Sequence, residues 1–388
     1  MNNKLNSNGY SRRDFLSKSL LTTALAGTWL SGSGLNTVAN NSNSPAEYIA
    51  PSLSNPESFS FIIIPDTQSY VKFGRNQGIC NLITAWIAEN IKKLNILTAL
   101  HTGDLVEQNG IQPEDLTEKN KSHVDQSSAQ QWGAISGAFS RLDGKLPYIV
   151  CTGNHDYGVH SAENRSTQFP TYFPKNRNSA WTNILVECCK NRDGVRTLEN
   201  AAYAFKAPQG KDILVLSLEF APSDPVLAWA KELTSRQEYQ NHFVILLTHS
   251  YLNSLANGQK RIKKEGYKVK DANYGEAIWE KLIYPSSNIR MVICGHIAGT
   301  DNPRQNVGFR QDKNQAGKTV SQMLFDAQTL GGGWHGNGGD GWIRILEFSP
   351  EFTKVSVKTF SPLFAISPST RHLAWDLAEY NQFEFNID

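Results

Sequence analysis

Five stretches of this sequence place side chains that bind cations or move protons directly behind apolar runs. The densest is Cys151-Thr152-Gly153-Asn154-His155-Asp156, which follows residues 146–150, an apolar run that reads as a short buried strand ending in a tight turn. Asn154 offers a neutral oxygen to a cation, and His155 offers an imidazole that can hold or release a proton near neutral pH. Asp66 and Gln68 come after 59–64, Asp104 after 96–100, His249 after 243–247 and His296 after 289–294. Taken singly, an Asp after a strand is more often a helix cap or turn residue, and an Asn-His-Asp triplet occurs by chance in ordinary loops. Recurrence at five strand ends in order is what makes a site. Carboxylate, amide oxygen and imidazole together suit Mn, Fe or Zn rather than Ca. Asp104 could bridge two ions roughly 3.5 Å apart, the separation used for in-line displacement at phosphorus.

The elements that must carry these residues follow from periodicity. Residues 59–64 and 96–100 are apolar runs of strand length, and Ile79, Ile83, Trp86, Ile87 and Ile91 between them recur at helical spacing. A helix over 128–142 leads into the third strand, so the first half reads strand, helix, strand, helix, strand, with a polar residue at each strand's C-terminal end, where α/β proteins place ligands. Residues 160–196 show little periodicity and read as a long functional loop. A strand pair over 202–207 and 213–218, an amphipathic helix over 224–239 and buried strands over 243–247 and 289–294 come next, with a helix near 273–282. Residues 320–325, 342–348 and 354–360 read as an antiparallel set, and a Gly-rich loop, 330–341, separates the first two. Arg165, Tyr251 and Arg304 follow site motifs and are candidates for contact with a phosphate or its ester group.

Composition describes an ordinary globular chain: 388 residues, 39% hydrophobic and 19% charged, with a formal net charge of +2. So small a net charge does not favour nucleic acid as a bulk partner. The five Cys are an odd number with no Cys-x-x-Cys pair, which argues against a structural zinc site. Cys80, Cys151 and Cys294 lie in apolar segments and are expected to be buried small hydrophobes. Ser11-Arg12-Arg13-Asp14-Phe15-Leu16, a short apolar stretch and the small-residue site Thr37-Val38-Ala39 compose a signal peptide over residues 1–39. Its paired arginines resemble a twin-arginine export signal, which implies the twin-arginine machinery as a partner and a periplasmic or extracellular destination. The apolar run is too short and too rich in Thr and Gly to span a bilayer, so no membrane span remains after signal removal. Residues 40–57 read as a flexible linker and 58–388 as one domain.

The order and types of the strand-end residues resemble the calcineurin-like metallophosphoesterase superfamily. Its pattern is Asp-x-His, Gly-Asp, Gly-Asn-His-Asp/Glu, a lone His after a strand, and Gly-His-x-His. The resemblance implies an α/β fold of two face-to-face mixed sheets flanked by helices in a four-layer sandwich. It also implies metal-dependent hydrolysis of a phosphate ester, on a small molecule or a phosphorylated substrate, by a metal-bound hydroxide at a dinuclear site. Carried over, Asp66 resembles the terminal ligand of a first ion and Asp104 the bridging ligand, while Asn154, His249 and His296 resemble the ligands of a second. His155 matches the histidine that protonates the leaving oxygen, with Asp156 to orient it. Two departures fall on the first position: Gln68 replaces the usual His, and Gly295-His296-Ile297-Ala298 lacks the final His. The cofactor expectation is therefore two divalent or trivalent ions, Mn, Fe or Zn, or a single one. The chain is similar to a bacterial branch of the superfamily with Asp-Thr-Gln at its start, a late Asp-x-Gln segment and a Gly-rich loop. Asp326, Gln328 and His335 are accordingly candidates to compensate at the weakened position. A non-catalytic metal- or phosphate-binding protein and a single-metal phosphodiesterase are the alternatives.

Overall fold

The computed structural model describes residues 48–116 and 123–387. The expected export signal, 1–39, and the first residues of the linker, 40–47, lie outside the described residues. Residues 48–57, the rest of that linker, are fastened to the fold. Trp375 Nε1 donates to Ile49 O at 2.7 Å, and Ser54 N and Oγ both donate to Glu347 Oε1.

The first sheet is built on three parallel strands, β1 (Phe59–Ile64), β2 (Ile96–His101) and β3 (Tyr148–Val150). β1 also pairs antiparallel with β11 (Ile343–Phe348), which continues through β12 (Lys354–Phe360) to β13 (Trp375–Asp376), with β14 (Gln382–Asn386) also paired to β12. The second sheet runs in the order β4 (Leu185–Lys190), β5 (Arg196–Lys206), β6 (Asp212–Ser217), β7 (Phe243–Leu247), β8 (Ile289–Cys294), β10 (Thr319–Phe325), β9 (Val307–Lys313). Both sheets are mixed; β6, β7, β8 and β10 are mutually parallel in that order.

Alternation along the strands sets the layers. Ile213, Val215, Ile245, Leu247, Met291 and Ile293 belong to the core shared with the first sheet, while their neighbours Leu214, Leu216, Val244, Leu246, Val292 and Cys294 belong to a separate one. Successive strand side chains point to opposite faces, so each strand serves two cores at once. The second core is closed by Val226, Leu227, Ala230 and Leu233 from the helix Asp224–Ser235. The outer face of the first sheet is covered by α1 (Gln77–Asn90) and α2 (Ser128–Phe139), through Ile83, Ile87, Trp132, Ile135 and Phe139. The four layers are therefore helices, sheet, sheet, helices. At the seam, the rings of Phe61 and Phe205 approach to 6.2 Å, and Ser217 Oγ donates to Val150 O at 3.2 Å.

Two expectations are corrected. Residues 320–325, 342–348 and 354–360 do not form one antiparallel set: β10 lies in the second sheet, parallel to β8, and of the three only β11 and β12 pair with each other, antiparallel in the first sheet. Pairing is decided by which strand edges remain open, which local sequence does not encode. The loop reading of 160–196 is also incomplete, because Leu185–Lys190 forms the edge strand β4. Its residues are mostly half-buried, with Glu187 among them and Lys190 exposed, and give no clean alternation. Cys80, Cys151 and Cys294 are buried as expected, and all five Cys are free.

Candidate metal centre

Every motif singled out in the sequence ends a strand on the same side of the two sheets. Asp66 follows β1, Asp104 follows β2, Asn154 and His155 follow β3, His249 follows β7 and His296 follows β8. The strands contribute from both sheets, so the site spans the seam. Two glycines let the backbones crowd together. A Cβ on Gly153 would stand 2.1 Å from Asp104 Oδ1, and one on Gly295 would stand 2.1 Å from Asp66 Oδ1. Asp104 (φ 53°) and His296 (φ 79°) themselves adopt left-handed backbone, a strained conformation for residues with side chains that is concentrated at functional sites.

The centre of the group is His249 Nε2. It lies 3.1 Å from Asn154 Oδ1, 3.2 Å from Asp104 Oδ2 and 3.2 Å from His296 Nδ1. Hydrogen bonds on the far side of each ring say which nitrogens carry protons. His249 Nδ1 donates to Thr102 O at 2.8 Å, and His296 Nε2 donates to Glu265 Oε1 at 2.6 Å. Asn154 Nδ2 donates to Ser161 Oγ at 2.9 Å, which turns its carbonyl oxygen to the group. With both rings neutral, four lone-pair donors converge and no proton lies between them, which is the electronic demand of a cation. Donor atoms about 2.1 Å from a common ion are about 3.0 Å apart at octahedral angles and about 3.4 Å apart at tetrahedral ones, and the observed spacings fall in that range. Asp104, His249 and His296 form a group that could hold a metal ion.

Beside it lies a second, imidazole-free group. Asp66 is fully buried; its Oδ1 accepts from Thr102 Oγ1 at 2.8 Å and its Oδ2 from His296 N at 3.0 Å. Burial pushes Asp66 well above the usual carboxylate range, and the charges of Asp326 and Asp104 push it further. Burial also lifts Asp326, to about 6. Burial would raise Asp104 too, but the positive charge that His249 and His155 carry when protonated outweighs it and holds Asp104 below the usual range. Gln328 Nε2 donates to Asp326 Oδ2 at 3.0 Å, and Gln328 Oε1 and Gln68 Oε1 are both buried without a hydrogen-bond partner. An unpaired buried amide oxygen costs about 1–3 kcal/mol, a cost that a cation bound beside it would relieve.

The remaining candidates divide. His155 N donates to Asp104 Oδ1 at 2.9 Å, and its Nδ1 donates to Glu107 O at 2.7 Å. The expectation that Asp156 orients this ring is corrected: the partner is the Glu107 carbonyl. Asp156 instead braces two loops, accepting from Gly153 N at 2.7 Å and Val106 N at 3.1 Å, and burial, followed by the charge of Asp104, lifts it to about 8. His335 is exposed, and its ring packs against His123 at 5.0 Å and Phe73 at 6.4 Å, which removes it from the compensating set. Arg165 is spent on the carbonyls of Phe220, Ala221 and Asp271, Tyr251 donates to Gln322 Oε1, and Arg304 lies over the Tyr380 ring. His101, with Nε2 2.9 Å from Thr67 Oγ1 and a pKa that burial pushes down to about 3, is a neutral structural histidine. Glu265, in contact with His296, is the residue of this group that motif reasoning misses. It comes from an irregular lysine-rich stretch with no pattern to mark it, and only the fold brings it to His296.

The chain is 26% identical over 344 residues to the uncharacterized protein YvnB of Bacillus subtilis (strain 168), covering 88% of this chain and 22% of that relative. It therefore spans under a quarter of the relative's length. A solved structure described as GAP50, the anchor in the inner membrane complex of Plasmodium, is 11% identical with a TM-score of 0.39, over 85% of this chain and 89% of that one. Among the described residues no helix is long and apolar enough to cross a membrane. Residues 59–299, which run from β1 to just past His296, match the calcineurin-like phosphoesterase family model, and the chain belongs to that family.

Proposed function

We propose that this protein is a metal-dependent hydrolase of phosphate esters. The observation that carries the reading is the convergence of Asp104 Oδ2, Asn154 Oδ1 and His296 Nδ1 on His249 Nε2, all within 3.1–3.2 Å. Those four residues would hold one ion. Asp66, Gln68, Asp326 and Gln328 would hold a second, with Asp104 between the two. Ions bound there would polarise the phosphate and lower the pKa of a coordinated water.

The protein's own groups have separable tasks. Glu265 and the Thr102 carbonyl fix the tautomers of His296 and His249, so that each ring turns a lone pair inward. His155 is anchored through Nδ1 to the Glu107 carbonyl, which leaves Nε2 to protonate the leaving oxygen. Burial lowers the pKa of this ring, but the neighbouring Asp104 and Glu107 charges more than offset it, so His155 stays protonated to higher pH than a free histidine. Elemental analysis after reconstitution with Mn, Fe or Zn, together with assay on aryl phosphate mono- and diesters, tests the proposal. Turnover abolished by Asp104→Asn supports it, and no turnover with any of these metals sinks it in favour of a binding protein. A second reading, a hydrolase with one ion, is favoured by Gln68 and Ala298, which stand where the resemblance leads one to expect imidazoles; a stoichiometry of one metal per active chain would select it. We also propose export through the twin-arginine route, tested by cell fractionation of an Arg12→Lys/Arg13→Lys variant, which should be retained in the cytoplasm.

A further inference from the structure

The stretch that supplies Glu265 has a second character. From Lys260 to Asp271 it carries Lys260, Arg261, Lys263, Lys264, Lys268 and Lys270 against only two acids, in a chain whose formal net charge is +2. Both acids are turned away from solvent or already engaged. Glu265 is held by His296 Nε2 and Ser250 Oγ, and Asp271 Oδ2 accepts from Asp224 N at 3.2 Å. From residue 264 to 270 burial alternates. Lys264, Gly266, Lys268 and Lys270 are exposed, while Glu265 and Tyr267 are half-buried and Val269 is buried. That is the pattern of an extended chain lying on a surface, with one face down and the other to solvent.

The lower face is pinned to the metal centre. Glu265 bonds His296, and the Tyr267 ring lies 6.2 Å from the His296 ring and 5.0 Å from the Phe220 ring. Both ends are fastened by arginines: Arg261 pairs with Glu276 and Asp312, and Arg165 donates to the carbonyls of Lys270 and Asp271. The upper face is a row of ammonium groups that form no ion pair among the described residues. Alternate positions of an extended chain are about 6.6 Å apart, so Lys264, Lys268 and Lys270 present a linear array of positive charge rather than one point. A single phosphate at the metal centre needs no such array.

We propose that this basic strap is a recognition face for a polyanion. The ester acted on at the neighbouring centre is then carried by a chain of repeated backbone phosphates, and further phosphates of that chain lie along Lys264, Lys268 and Lys270. The identity of the ester as substrate rests on the hydrolase reading above; binding to the strap does not. The low net charge of the whole chain conceals this local array, because the remaining surface is balanced.

The test is fluorescence anisotropy of labelled oligothymidylate and of labelled poly(glycerol phosphate) over a series of salt concentrations. It compares the wild type with the variant Lys264→Gln/Lys268→Gln/Lys270→Gln. The three side chains are exposed, and circular dichroism checks that the variant folds. Wild type should bind at least one polymer, and the variant should bind it about tenfold or more weakly. Its log–log salt slope should fall by about 2, at about 0.7 per lost phosphate contact on a single strand. Preference for oligothymidylate would identify a nucleic acid strand as the source of the phosphates, and preference for poly(glycerol phosphate) a polyol phosphate. The control Lys92→Gln/Lys93→Gln, exposed residues just past α1, should bind as wild type does. Equal binding by wild type and the strap variant, binding of neither polymer, or binding only to phosphatidylglycerol vesicles overturns the proposal. Because anisotropy reads binding without turnover, a failed hydrolysis assay leaves this result standing.

Discussion

The two halves of the centre are built from different chemistry. One gathers His249, His296, Asn154 and Asp104 around a single nitrogen; the other gathers Asp66, Asp326, Gln68 and Gln328 with no imidazole. Imidazole favours Zn and other later first-row ions, whereas carboxylates and amide oxygens favour harder ions held more loosely. The halves also differ in support. Each imidazole has an outer partner that fixes its proton, whereas the oxygens of Gln68 and Gln328 have none among the described residues. A dinuclear site need not be symmetric, and on the two-ion reading proposed above this asymmetry predicts that the imidazole-held ion is retained and the other exchanges.

The sharpest way to break that comparison is to remove Asp104, the residue proposed to lie between the two halves. Asp104→Asn should lower kcat on an aryl phosphate by about 10³-fold and reduce the metal content of both positions, read by elemental analysis. His155→Ala tests whether chemistry can be separated from metal binding, since this ring belongs to neither donor set. The expected loss is about 10²- to 10³-fold in kcat with metal content unchanged, and a parallel loss of metal would move His155 into the donor set. Glu265→Gln removes the charge behind His296 while keeping a hydrogen-bonding group. Affinity for the imidazole-held ion should fall about 10- to 100-fold by competition with a chelator, and the oxygen-rich position should be unaffected. The smallest effect is expected for Gln328→Ala, which should weaken only the loosely held ion by a few-fold in a metal titration. Unchanged occupancy would take Gln328 out of the donor set.

Much of this was legible before any fold was known. Asp66, Asp104, Asn154, His249 and His296 each follow a run of apolar residues, and burial of such a run makes its C-terminal end the natural exit for a ligand side chain. What stayed hidden depends on contacts between segments far apart in sequence. The partner of His155 is a backbone carbonyl, which carries no residue signature, so Asp156, the adjacent carboxylate, looked the better partner. Glu265 reaches His296 only because Arg261 and Arg165 tie down the ends of its segment. β10 reads as a neighbour of β11 along the chain, yet it joins the other sheet because the edge of β8 is open there. His335 illustrates the opposite error: a plausible ligand type in a Gly-rich loop, carried to the surface by its own turn.

The seam has one consequence beyond the centre itself. Asp66, Asp104 and Asn154 are delivered by one sheet, and His249 and His296 by the other, so the spacings between their donor atoms measure how the two sheets are seated on each other. A slip of a few tenths of an ångström would spoil ligation while leaving each sheet's hydrogen bonds intact. Trimming a side chain deep between the sheets, at Phe61 or Phe205 for example, should therefore register as lost catalysis at temperatures where the protein is still fully folded.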